Sequence, residues 1–123
     1  TLLVMHKNAR IYIAGHQGMV GSAIVSKLRG EHFSNLILRT SRELDLREGN
    51  RVGEFFAQTR PEYIILAAAK VGGIHANNVY RAQFLYENLM IQNNVIHHAY
   101  TNIDGMDDDI DIKPWMRMST WKK

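Results

Sequence analysis

Cysteine is absent from the chain, which excludes a disulfide framework and any thiolate-bound metal. The same absence is compatible with a reducing cytoplasm, the expected location. No apolar run approaches the ~20 residues that a membrane-spanning helix needs. The opening Thr1-Leu2-Leu3-Val4-Met5-His6-Lys7 is apolar but short and carries no basic leader. No signal peptide is expected there, and Met5 is a candidate natural start. Lys and Arg form no block with interleaved aromatics, so a nucleic-acid partner is not expected. The histidines lack carboxylates at ligand spacing, and the acidic run from Asp104 misses the intervals of a calcium loop. No metal site is expected.

What is present suits a globular domain. The hydrophobic fraction of 46% is too high for a disordered chain, and 123 residues fit one domain or part of a larger one. Before Asp104 there are eleven Lys and Arg against seven Asp and Glu; from Asp104 onward there are four against five. The excess of base in the first part suits a small polyanion.

Ile11-Tyr12-Ile13-Ala14 is a short β-prone run that ends in Gly15, as a buried parallel strand would. From Met19 the spacing turns helical, with Val20, Ile24 and Leu28 on one face and Gly30 as the expected left-handed stop. Leu36-Ile37-Leu38 reads as a second strand. Asn50 to Thr59 reads as a helix stopped by Pro61, and Tyr63 to Ala67 as a third strand. Arg81 to Tyr100 carries apolar residues at helical spacing. The β-α-β-α-β-α order predicts an α/β, Rossmann-like three-layer αβα fold, incomplete, with a parallel sheet in the order 3-2-1. Residues 1–103 form the expected nucleotide-binding unit. Residues 104–123 form an acidic and aromatic tail, expected to be exposed, with Pro114, Trp115, Met116, Met118 and Trp121 able to dock on the sheet edge.

Gly15-His16-Gln17-Gly18-Met19-Val20-Gly21 joins the first strand to the first helix. In that context each glycine has a task. Gly15 permits the strand exit, Gly18 lets backbone approach a pyrophosphate, and Gly21 lets helix and strand pack. The helix N-terminus then offers amides to phosphate. About 20 residues on, an NAD site would carry an acid for the ribose. Here stand Arg39-Thr40-Ser41-Arg42, with no acid until Glu43. Two guanidiniums favour the 2′-phosphate of NADP. Asp45 has two readings of equal standing, a partner for the adenine amine with Leu46 against the ring, or a cap for the next helix. Ala67-Ala68-Ala69 leaves room for a cofactor across the sheet. Lys70 at that edge reads equally well as functional or merely exposed. Asn77-Asn78 read as turn residues, and His97-His98 as surface or helix-end residues.

Three stretches, Ile13 to Ile24, Leu38 to Leu46 and Leu66 to Asn78 with its Ala67-Ala68-Ala69-Lys70-Val71-Gly72-Gly73 run, together resemble the GDP-L-fucose synthase family of extended short-chain dehydrogenase/reductases. The resemblance covers residues 9 to 100. It implies conversion of GDP-4-keto-6-deoxymannose to GDP-L-fucose by epimerisation and NADPH-dependent reduction, and a homodimer. It assigns Gly15 to Gly21, Arg39, Ser41, Arg42 and Ala67 to Ala69 to NADP, and the adenine reading above adds Asp45 and Leu46 as candidates. Lys70, Val71 and Gly72 would border a GDP-sugar. Gln17 and Ser41 stand where relatives often have basic residues. The family's catalytic Ser, Tyr-x-x-x-Lys, Cys and His have no counterpart: there is no Cys, and Tyr100, the last tyrosine, has Asp104 four residues on. No catalytic residue is therefore nominated, and the chain reads as the front third of such an enzyme with an unrelated tail. The alternative is a non-catalytic nucleotide-binding or regulatory module.

Overall fold

The computed structural model describes residues 5–102; the expectations for the tail from Asp104 and for residues 1–4 lie outside the described residues. Along the chain run β1 (Ile11–Ala14), α1 (Met19–Gly30), β2 (Leu36–Arg39), α2 (Gly49–Thr59), β3 (Tyr63–Leu66), α3 (Ile74–Val79) and α4 (Arg81–Asn102). All four residues of β1 are buried, as expected of a central strand with both faces covered. β1 pairs in parallel with β2 on one side and β3 on the other.

Side chains alternate across a strand, and β1 feeds two cores accordingly. Ile11 and Ile13 pack with Val25, Ile24 and Leu28 of α1. Tyr12 and Ala14 pack with Val52, Phe55 and Phe56 of α2 and with Val95 and Ala99 of α4. Tyr12 meets Phe55 and Phe56 edge-on, with ring centroids 4.9 and 5.7 Å apart. Its burial pushes the phenol pKa up to about 12. The three layers, helix, sheet and helices, are those expected.

The strand order is not. It is β2-β1-β3 rather than 3-2-1. Right-handed crossovers with successive helices on one face march in one direction; helices on opposite faces reverse it. α1 and α2 take opposite faces, so the chain returns past β1 and lays β3 on its far side. Connections from β1 and β3 then leave toward opposite faces, which opens a crevice at their C-terminal ends.

Smaller differences follow from local geometry. Val20, expected on the packed face of α1, is 62% exposed, while Val25 is buried. The left-handed residue after α1 is His32, φ 68°, not Gly30. His32 N–H donates to the Arg29 carbonyl and Phe33 N–H to Leu28, each 3.0 Å, a paired closure of the helix end. Asn77 and Asn78, read as turn residues, belong to α3. The third strand stops at Leu66, although Ala67 N–H still donates to the Ala14 carbonyl at 2.9 Å.

Candidate nucleotide-binding cleft

A cleft of about 640 Å³ opens over the C-terminal ends of the strands. Its first wall is the glycine loop, residues 15–20; its second is built from 39–41 and 44–47; its third is 67–71, with Glu87 and Ile91 of α4 behind. The volume falls in the range of small-molecule sites.

Gly15 leaves β1 at φ +82°, and a methyl group there would lie 2.7 Å from the Ala68 nitrogen. A methyl on Gly21 would run into the Gly15 carbonyl. Both positions demand glycine because the chain itself crowds them. Gly18 is different. Its backbone is extended (φ −76°, ψ 172°), and a methyl there would make only ordinary contact, 3.4 Å, with the Gly15 oxygen. Among the described residues nothing requires a bare backbone at Gly18, which lines the mouth of the cleft as the N-cap of α1. α1 has no side-chain cap and no acid in its first turn, so its first amides and its positive end face the cleft uncompensated. His16 Nδ1 is buried in this loop and has no hydrogen-bond partner among the described residues.

On the second wall Arg39 ends β2 opposite Ala14, level with the start of the glycine loop. Its guanidinium lies 5.3 Å over the Phe55 ring and donates through Nη1 to the Leu38 carbonyl at 2.8 Å. Ser41 lines the cleft; Arg42 is exposed and does not. Glu43, the first acid after β2, is turned away. Its Oε2 accepts the Thr40 amide at 2.8 Å, and Thr40 Oγ1 accepts the Glu43 amide at 3.3 Å. No carboxylate from this turn is left for a ribose.

Asp45 does not cap α2, whose N-cap is Glu48. Oδ1 of Asp45 accepts the Arg47 amide at 3.0 Å and Nε at 2.9 Å, and Oδ2 accepts Nη2 at 2.7 Å. The Arg47 guanidinium holds the Asp45 carboxyl below its ordinary range, so it is ionised at neutral pH. Leu46 is buried in the core beneath, and its carbonyl accepts Asn94 Nδ2 at 2.9 Å.

On the third wall Ala67, Ala68, Ala69, Lys70 and Val71 line the cleft, while Gly72 packs against Phe84 and Gly21 lies under its own loop. Lys70 is fixed by its backbone, since Asn88 accepts its N–H and donates Nδ2 to its carbonyl at 3.1 Å. His97 and His98 do not line the cleft. No cluster of three metal-ligating side chains forms among the described residues. Sequence reading passed over Arg47, Glu87 and Asn88. The signal for Glu87 was its standing as the single acid on α4.

Residues 11–108 match the family model described as the NAD dependent epimerase/dehydratase family. The chain is similar to GDP-L-fucose synthase 1 of Arabidopsis thaliana, 61% identical over 94 residues, covering 76% of this chain and 29% of the relative. It is 53% identical over 93 residues to GDP-L-fucose synthase of Escherichia coli K12, covering 76% and 29%. The fold superimposes on the GDP-mannoheptose C4 reductase MlghC of Campylobacter jejuni with NADP bound, with TM-score 0.77, 49% identity, and coverage of 80% and 31%. The chain thus spans just under a third of the length of these relatives.

Proposed function

The chain belongs to the NAD dependent epimerase/dehydratase family, and on that premise we propose that its cleft is the NADP site of a GDP-L-fucose synthase-like epimerase/reductase. The observation that carries this is Gly18, a glycine that none of the described residues requires, set before an uncapped helix. When bound, a nicotinamide cofactor supplies or accepts hydride. The chain's own residues do the rest of the binding. The amides opening α1 take the pyrophosphate. Arg39, already oriented by Phe55 and Leu38, takes the 2′-phosphate, and Glu43 is kept from repelling it by Thr40. Ala67 to Ala69 leave the cofactor its passage across the sheet, and Asp45 and Leu46 border the adenine.

A similar likeness in the relatives supports a GDP-sugar beside Lys70 and Val71, which are exposed on the third wall. Exposed Leu85, Tyr86 and Leu89 on α4 are the apolar surface that a second copy would bury, and strictly monomeric sedimentation would remove that part. A ketone reductase also needs a proton donor at the ketone oxygen. Among the described residues none on the cleft walls matches the family's tyrosine and lysine pair, and binding without turnover is the expected outcome.

The test is fluorescence titration of the full chain with NADPH and NADH. Arg39→Glu weakens NADPH by more than about tenfold and NADH by less than about threefold, since a hydrogen bond between charged groups is worth ~1.5–3 kcal/mol. Equal losses would refute the phosphate assignment. No NADPH binding by the unaltered chain would overturn the proposal.

A further inference from the structure

Arg47 is held between two carboxylates that come from distant parts of the chain. Its fork takes Asp45, and its outer Nη1 lies 3.4 Å from Glu87 Oε2 on α4. The Glu87 side chain is only 11% exposed, and its other oxygen accepts Gln83 Nε2 at 2.9 Å. A carboxylate so deeply placed is costly without a cation, and among the described residues Arg47 is the one that pairs with it. Arg47 itself is 47% exposed, so with Asp45 alone it would be tied only to its own loop, two residues away. Glu87 adds the anchor to a rigid helix. All three residues line the cleft.

We infer that Glu87 is a positioning residue for the adenine end of the cofactor: through Arg47 it aims the Asp45 carboxylate into the cleft as the acceptor for an exocyclic amine. This rests on reading the cleft as a dinucleotide site. The charges facing the group are the carboxylates of Asp45 and Glu87, the guanidinium of Arg47, and Arg51, which also acts on Asp45 and pairs with Glu48 at 3.5 Å. An ionised carboxylate can only accept, so it bonds the amine of adenine and repels the keto oxygen of hypoxanthine at the same place. Base discrimination therefore reports the aim of Asp45 separately from the affinity of the whole site. Asn94 and Asn88 hold neighbouring wall segments to α4 in the same way, so the wall stays in place when Glu87 is changed.

The experiment titrates the full chain with NADPH and with its hypoxanthine analogue, followed by nicotinamide fluorescence. The unaltered chain prefers NADPH by about tenfold. Glu87→Gln, and separately Arg47→Lys, which keeps the charge but loses the fork, bring the ratio below about threefold with the analogue's affinity changed less than about twofold. An unchanged ratio in the variants overturns the inference, as does an equal loss of both ligands, which would make Glu87 merely structural. If one variant does not fold, the other decides. An unaltered chain that binds both ligands equally also overturns it, whereas one that binds neither defeats the cofactor reading itself.

Discussion

Three glycines in one loop make different demands, and substitution separates them. Gly21→Ala pushes a methyl into the Gly15 carbonyl and should cost about 1–3 kcal/mol of stability, read from the urea midpoint. Gly18→Ala meets no obstacle within the chain and should cost less than about 1 kcal/mol, the scale of losing a glycine N-cap. Yet it should weaken NADPH by about tenfold or more, because the methyl stands where the proposed site takes the phosphate. Equal affinity for NADPH in Gly18→Ala would show that the loop serves packing alone. At this scale the sequence was informative wherever the chemistry is local. The glycine spacing and the arginine at the end of β2 could be read directly. Arg42 could not be separated from Arg39, because strand alternation and the turn after β2 decide which guanidinium faces the cleft. The partners of Glu87 and Asn88 could not be read, since each works through a residue 18 or more positions away, and the lone acid on α4 does not say which cation it meets.

At the scale of elements, the contact of α2 with α4 turns on a ring set against a glycine. A methyl on Gly53 would lie 2.9 Å from the His98 ring, and one on Gly49 would lie 3.7 Å from its Nε2. Gly53→Ala should therefore destabilise by about 1–3 kcal/mol. Adding His98→Ala should recover part of that loss, a coupling that a double-mutant cycle measures. Burial, and then the neighbouring His97, hold the His98 pKa below its ordinary 6.5. The unfolded chain therefore protonates first as pH falls. The stability contribution is complete above pH 6.5 and declines as pH drops through it. His98→Asn should flatten that part of the stability curve, and an unaltered slope would assign it elsewhere. Strands and long helices were legible because period-2 and period-3.6 patterns are local. The strand order was not, because it depends on which face of the sheet α2 takes, a choice made by Phe55 and Phe56 packing on Tyr12. α3 escaped because it buries none of its six residues and so carries no amphipathic signal.

Over the whole molecule, the two-faced winding around β1 brings together segments that are far apart in the chain. The glycine loop, the end of β2 and the alanine run after β3 meet at one sheet edge, and α4 ties two of the three walls in place through Glu87, Asn88 and Asn94. The described part of the chain thus gathers at one place the three walls of the proposed dinucleotide site. The most direct measurement is an amide-resolved NMR titration of the full chain with NADP. Shifts are expected to concentrate in residues 15–20, 39–41, 44–47 and 67–71, with the amides of Met19 and Val20 among the largest and those around His32 unmoved. Absence of shifts, or shifts confined to surfaces away from the glycine loop, would contradict the proposed site.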